Sequence, residues 1–173
     1  MTKSVSSIIG KNNIPKNGIL SIDIGERNVG VSYFDSNNYL LIGFHKNWSD
    51  WKKNKLNYMI ELEEYNFDKV IIEQQLVRKY VSRMSFIEGY FIAKGKEVKI
   101  VKPVTFGLAL KTRKERKQYS IDRVNDLINE LKITKPFNLI YDYHDVCDAM
   151  LMNINHVNAS SVKNIQIYKI NSN

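Results

Sequence analysis

A chain of 173 residues that is 43% hydrophobic suits one domain with a sizeable core and calls for no second. Its 26 Lys and Arg against 18 Asp and Glu give a net charge of +8, which favours a polyanionic partner such as nucleic acid or an anionic membrane surface. The single cysteine, Cys147, rules out an internal disulfide and a multi-cysteine zinc site, and it fits a reducing, intracellular compartment.

Residues 1–17 are polar, with Lys3, Lys11 and Lys16 among Ser and Asn. They lack an apolar stretch long enough for a signal peptide or a membrane span, so a flexible tail is expected and no membrane partner. The stretch from Ile19 to Ile24 is then apolar except for Ser21 and Asp23. Gly25 and Gly30 follow, and a second apolar run covers Val29 to Phe34. A buried strand ending in an ionised group needs a positive partner, and a divalent metal is one candidate; a carboxylate capping a hairpin turn is the other. The turn-forming cluster Asp35-Ser36-Asn37-Asn38 joins this run to a third strand over Tyr39 to Phe44, so three antiparallel strands open the domain.

Ser49 or Asp50 can cap the next element, a helix with Trp51, Leu56, Met59, Ile60 and Leu62 at helical spacing up to Glu64. Asp68 to Glu73 is a short β-branched run that again ends in a carboxylate, and ligand sites in open α/β sheets gather at such strand ends. Gln74, Gln75 and the basic pair Arg78-Lys79 follow. Leu76, Tyr80, Met84, Ile87 and Phe91 keep a helical interval to about Lys94, and Gly95 ends that helix; the stripe is either core or a dimer seam.

Glu97 to Val101 reads as another strand, and strand, helix, strand in this order argues for a βαβ crossover within a mixed sheet. Lys111 to Lys117 then carries five positive charges in seven residues and leads into a helix with Ile121, Val124, Leu127, Ile128 and Leu131 on one side. Lys135-Pro136 interrupts the pattern. Asp142 can cap a last helix on which Asp145 and Asp148, three apart, project from the same side. Such a pair either stays in water, where the helix dipole favours it, or is neutralised by a cation. Residues 161–173 read as a C-terminal tail, with only a brief alternation at Ile165 to Tyr168.

Asp23, Glu73, Asp145 and Asp148 together make four carboxylates from three elements. Hard oxygen donors of this kind suit Mg²⁺ or Mn²⁺, and two ions about 3.5–4 Å apart support in-line phosphodiester hydrolysis. In Ser21-Ile22-Asp23-Ile24-Gly25 with Asn28, in Ile72-Glu73-Gln74, in Lys102-Pro103-Val104, in the basic run Arg113 to Lys117 before Ser120, and in His144-Asp145-Val146-Cys147-Asp148-Ala149, the chain resembles the RuvC-type Holliday-junction resolvases of the ribonuclease H-like superfamily, and among them the poxvirus resolvases. The likeness spans about residues 19 to 158, in the family's order and spacing.

The resemblance implies a ribonuclease H-like α/β domain over residues 18–160: a mixed five-stranded sheet, its first three strands antiparallel, flanked by helices. It implies a metal-binding tetrad of Asp23, Glu73, Asp145 and Asp148 that holds two Mg²⁺ or Mn²⁺ ions, and Lys117, or its neighbour Lys114, at the scissile phosphate. It further implies DNA contacts from Arg78, Lys79, Lys111, Arg113, Lys114 and Arg116, and a homodimer seamed along Leu76 to Lys94. Paired nicks across a four-way DNA junction would follow, with a role in recombination and, for a viral member acting in host cytoplasm or virion, in resolving concatemers. Leu76 departs from the bacterial members, which carry an aromatic there. Rival readings are a nuclease of the same superfamily acting on RNA or RNA–DNA hybrid, a junction-binding module without catalysis, and an actin-like ATPase, which needs about twice this length.

Overall fold

The computed structural model describes residues 17–133, 139 and 141–168. Residues 1–16 of the expected N-terminal tail and the Lys135-Pro136 break lie outside them. Asn17 is already fixed, its Nδ2 donating to Asp68 Oδ1 at 2.8 Å.

The strands are β1 (Gly18–Asp23), β2 (Asn28–Asp35), β3 (Leu40–Asn47), β4 (Lys69–Glu73), β5 (Glu97–Val101) and β6 (Asn164–Ile167), and the helices α1 (Trp51–Leu62), α2 (Arg78–Ala93), α3 (Arg113–Glu130) and α4 (His144–Val157). They form one mixed sheet in the order β5-β4-β1-β2-β3-β6. As expected, β1, β2 and β3 form an antiparallel meander, while β4 and β5 join it in parallel. The sheet has six strands rather than five. Asn164 to Ile167, expected to be tail, pairs in parallel with Leu40 to Gly43 of β3 and so belongs to the domain. An edge strand of four residues owes its place to the backbone groups β3 offers it, which its own short alternation scarcely signals.

The two-residue period of the strands sends alternate side chains to opposite faces. Ile19, Phe34, Leu41 and Ile71 face α3 and α4, packing with Ile121, Val124, Val146 and Met150. Leu20, Ile22, Val31 and Ile72 face α1 and α2, packing with Met59, Leu62, Ile87 and Phe91. A buried polar link crosses the first core: Asn153 of α4 donates to Ser32 Oγ at 3.1 Å, and Ser32 in turn to the Ile42 carbonyl at 2.9 Å, which fixes α4 along β2 and β3.

Two helix starts differ from expectation. Asp50 precedes α1 in a left-handed conformation (φ 53°) and makes no side-chain cap; its carbonyl instead accepts from Lys53 and Asn54. Asp142 lies in a 3-10 turn, Tyr141–Tyr143, and α4 begins after it without a side-chain cap. By contrast α3 opens on a complete capping box, Thr112 accepting from the Glu115 N–H and Glu115 from the Thr112 N–H. That box sets the basic run into the first turns of α3. None of the described helices is long and apolar enough to cross a membrane.

Candidate active site

Register brings the first two acids together. Ile22 of β1 lies opposite Ile72 of the parallel β4, so the next residues, Asp23 and Glu73, end adjacent strands side by side. Both share strand parity with residues that face α4, Asp23 with Ile19 and Glu73 with Ile71.

A glycine brings in the other two. Asp23 pairs across β2 with Gly30, and a Cβ on Gly30 would lie 1.9 Å from the backbone oxygen of Asp145. Only a residue without a side chain lets α4 rest its first turn on β2 there. Asp145 is thereby seated beside Asp23, and Asp148 follows one turn later on the same side of the helix. The loop between β1 and β2 passes beside the same turn: a Cβ on Gly25 would stand in ordinary contact with Asp145 Oδ2, at 3.8 Å, and would clash at 1.9 Å with the Asn28 carbonyl oxygen.

All four acids line one open cleft of about 770 Å³, together with Arg113, Arg116, Lys117 and His144. Asp23 is only 8% exposed. Burial raises its pKa well above the carboxylate range, and the charges of Glu73, Asp148 and Asp145 add to the effect against an opposing Lys117. Glu73 is pushed up to about 8, by burial first and then by Asp148 and Asp145. Asp148 is pushed up to about 6 by burial, moderated by the Ser120 hydroxyl and the charges of His144 and Lys117. Acids that hold one another's protons in this way are a site wanting positive charge.

The donor set fits a hard divalent cation: carboxylate oxygens only, half-buried to buried, at the open end of a sheet. Two of the acids have protein partners as they stand. Asp145 meets His144 Nε2, Asp148 accepts from Ser120 of α3, and among the described residues no three His, Cys, Asp or Glu are in ready coordinating positions.

The basic residues divide. Lys117 is half-buried in the cleft and contacts His144, and Arg113 and Arg116 line the cleft beside it. Lys111 and Lys114 are exposed and do not line it. At the start of α2, Lys79 is engaged by Glu26 at 2.8 Å, and Arg78 is exposed. Cys147 is buried, which raises its thiol pKa, so it is a small core residue of α4.

Sequence reasoning passed over Arg83. Its Nη1 donates to the carbonyls of Gly25 at 2.9 Å and Glu26 at 2.8 Å, while the guanidinium lies 5.5 Å from the Trp51 ring centre and 5.9 Å from that of Tyr80. The loop that follows Asp23 is thus held to α2. No signal in the sequence links positions 58 residues apart. In the sequence Ser120 is only a landmark after the basic run, and its bond to Asp148 equally joins two separate helices.

Comparison with known proteins agrees with this geometry. The sequence matches the family described as Poxvirus A22 protein over residues 17–160. No curated protein matches it. Among solved structures, the fowlpox virus resolvase in complex with its substrate Holliday junction DNA is similar with a TM-score of 0.64 at 21% identity, covering 83% of this chain and 98% of that one. A second structure, that of the fowlpox virus Holliday junction resolvase, gives 0.52 at 24% identity, covering 80% and 97%. At these identities the structural likeness establishes a common fold. With the family match covering most of its length, the chain belongs to the Poxvirus A22 protein family.

Proposed function

We propose that this protein is a Holliday-junction resolvase, a divalent-metal-dependent endonuclease that nicks four-way DNA junctions. The observation that carries the reading is the seating of α4 on Gly30, which gathers Asp145 and Asp148 with the strand-end acids Asp23 and Glu73 in one cleft walled on another side by the basic start of α3. The family match and the fowlpox resolvase structures, one of them a complex with junction DNA, support the same substrate.

In this reading Asp23, Glu73, Asp145 and Asp148 hold Mg²⁺ or Mn²⁺, two ions per site. Such ions supply polarisation of a water and of the phosphodiester oxygens. Lys117, which lines the cleft where Lys114 does not, would place its ammonium at the scissile phosphate, and His144 touches both Lys117 and Asp145. Arg113 and Arg116 take backbone phosphates, with Lys111, Lys114 and Arg78 contributing charge around the rim. Phosphate contacts carry little sequence information, so selectivity rests on the branched shape of the DNA.

A four-way junction has a two-fold axis, and a homodimer would put one cleft on each of two equivalent strands. α2 is the candidate seam, with Leu76 and Val77 exposed just before it and Ile92 exposed near its end. A viral resolvase of this kind would act on replicating genomes, separating concatemers in the host cytoplasm.

The test is cleavage of a four-way junction, linear duplex and RNA–DNA hybrid, each with Mg²⁺ and with chelator. Paired, metal-dependent nicks confined to the junction are expected. Equal cutting of the hybrid would point to an RNA-directed nuclease, and junction binding without cutting to a non-catalytic module. Asp145→Asn should lower nicking by about a hundred- to a thousandfold, on the scale of losing a group that acts on the reacting atoms, while junction affinity changes little. Joint loss of both would make Asp145 structural.

A further inference from the structure

The loop from β5 to α3 carries an apolar side chain that the domain does not bury. Phe106 is 64% exposed, although it is held firmly: its N–H donates to the Pro103 carbonyl at 2.8 Å and the Leu108 N–H to Thr105 at 3.2 Å, with Gly107 (φ 83°) completing the bend. Two successive turns make a ridge of this segment. On one side, Pro103 and Thr105 form part of the wall of the acidic cleft. On the other, Pro103, Val104 and Phe106 border a second pocket of about 280 Å³ with an apolar floor at Ile71, Val101 and Met152.

The rim of that second pocket is basic and polar. Lys99, Lys102, Asn155 and His156 surround it, and Lys102 Nζ stands 4.1 Å above the Phe106 ring. His156 is kept towards its neutral form by burial and by the nearby charges of Lys69 and Lys99, so it can exchange hydrogen bonds without adding charge. An exposed ring next to lysines, over a small apolar pocket, matches an unpaired nucleotide: the base offers a flat face for stacking and the backbone offers phosphates. A duplex, with its bases stacked inside, has no such face to give. The pocket also adjoins the cleft across a single ridge, so one strand can reach both.

We propose that this pocket binds one unstacked nucleotide of the DNA, with Phe106 stacking on the base and Lys99 and Lys102 meeting its flanking phosphates. The assignment rests on the junction-nuclease reading for its ligand, and it adds a second binding site outside the acidic cleft. The ridge then separates two tasks, hydrolysis on one side and capture of a base displaced at the branch point on the other.

The test uses the full chain and a four-way junction carrying 2-aminopurine beside the branch point, with chelator present so that no cutting occurs. Wild-type protein should change the probe's fluorescence on binding. Phe106→Ala should lose most of that change and bind the junction roughly tenfold more weakly, in line with the loss of one base–aromatic stack, while Phe106→Trp retains both. In the cleavage assay, Phe106→Ala should be slow on a fully paired junction and recover on one with unpaired nucleotides at its centre. A Phe106→Ala protein that matches wild type in fluorescence and in affinity overturns the proposal. So does one whose only change is in oligomeric state, which would make the ridge a contact between copies. If the fluorescence change depends on Phe106 but wild-type protein cuts no substrate, the nucleotide site stands and the nuclease reading fails.

Discussion

On one face of the sheet α4 lies directly against the backbone of β2, close enough that Gly30 can carry no side chain. On the other, α1 and α2 stand behind a layer of rings: Trp48, Trp51 and Tyr58 lie 5.2–6.3 Å apart between centroids, Phe86 meets Trp51 edge-on at 5.7 Å, and Phe67 meets Phe91 at 5.5 Å. Backbone contact leaves no freedom of approach, whereas aromatic packing spreads the contact over large surfaces with several favourable arrangements. The acids sit on the face where position is imposed by backbone contact. α2, the proposed seam, belongs to the face with more latitude, and it meets the acidic cleft through Tyr80 on the wall and through Arg83 and Lys79 on the loop after Asp23.

Gly30→Ala should produce the largest effect, because the added Cβ meets backbone rather than a side chain able to move. Displacing α4 from β2 is expected to cost about 3 kcal/mol, the upper end of ordinary overpacking, and to lower Tm by roughly 6–12 °C at this chain length. Nicking should be lost with it. Gly89 on α2 has nothing within 4 Å of the same added atom, so Gly89→Ala should be neutral or stabilising by up to about 1 kcal/mol through helix propensity. Thermal melts of the two variants would erase the contrast between the faces if they shifted alike.

The charge of the close-packed face gives a second effect. Folding raises the Glu73 pKa from 4.5 to about 8, so between those values the folded state holds a proton that the unfolded chain has released. Stability of the metal-free protein should therefore fall as the pH rises across that window, most steeply in its middle. Metal that binds only the folded carboxylates should reverse the fall. Melts at pH 5 and pH 8, with and without Mn²⁺, measure both slopes, and Glu73→Gln should flatten the first.

Much of the acidic face is legible in the sequence because its signals are local. Apolar runs ending in Asp23 and Glu73, the i, i+3 pair Asp145 and Asp148, and the stripe of α3 are each written within a few residues, and β5 occupies the expected Glu97–Val101. What holds them in place is not local. The role of Gly30 depends on α4, some 115 positions later; Ser120 gains meaning only from Asp148, and Arg83 only from a loop on another strand pair. β6 escapes for the same reason, since its partner β3 lies more than a hundred residues upstream. Local chemistry marks which residues carry charge or punctuate an element, and long-range packing decides which of them meet.

Arg83 offers a way to uncouple the two faces with little harm to either core. It donates to two carbonyls from a half-exposed position, and hydrogen bonds from a charged group contribute about 1.5–3 kcal/mol each before solvent competes. Arg83→Ala should free the loop after Asp23, seen as faster hydrogen exchange of amides 24–28, and should slow nicking by about tenfold with Tm within a few degrees of wild type. Added guanidinium should restore part of the rate. Unchanged exchange in that loop would mean that α2 does not set its position.

The smallest effects belong to the proposed phosphate contacts, and they divide by partner rather than by charge alone. Arg113 and Arg116 line the cleft, so replacing either with Gln should weaken junction binding and lower the slope of log K against log salt by about 1. Lys79 carries the same charge but is engaged by Glu26 at 2.8 Å. A lysine already paired releases fewer counterions from DNA, and its pairing must break before a phosphate can take its place. Lys79→Gln should therefore leave the salt slope within about 0.3 of wild type, in a titration from 50 to 200 mM salt. A full unit of lost slope would show that Lys79 leaves Glu26 for DNA, and that the start of α2 joins the cleft in binding the junction.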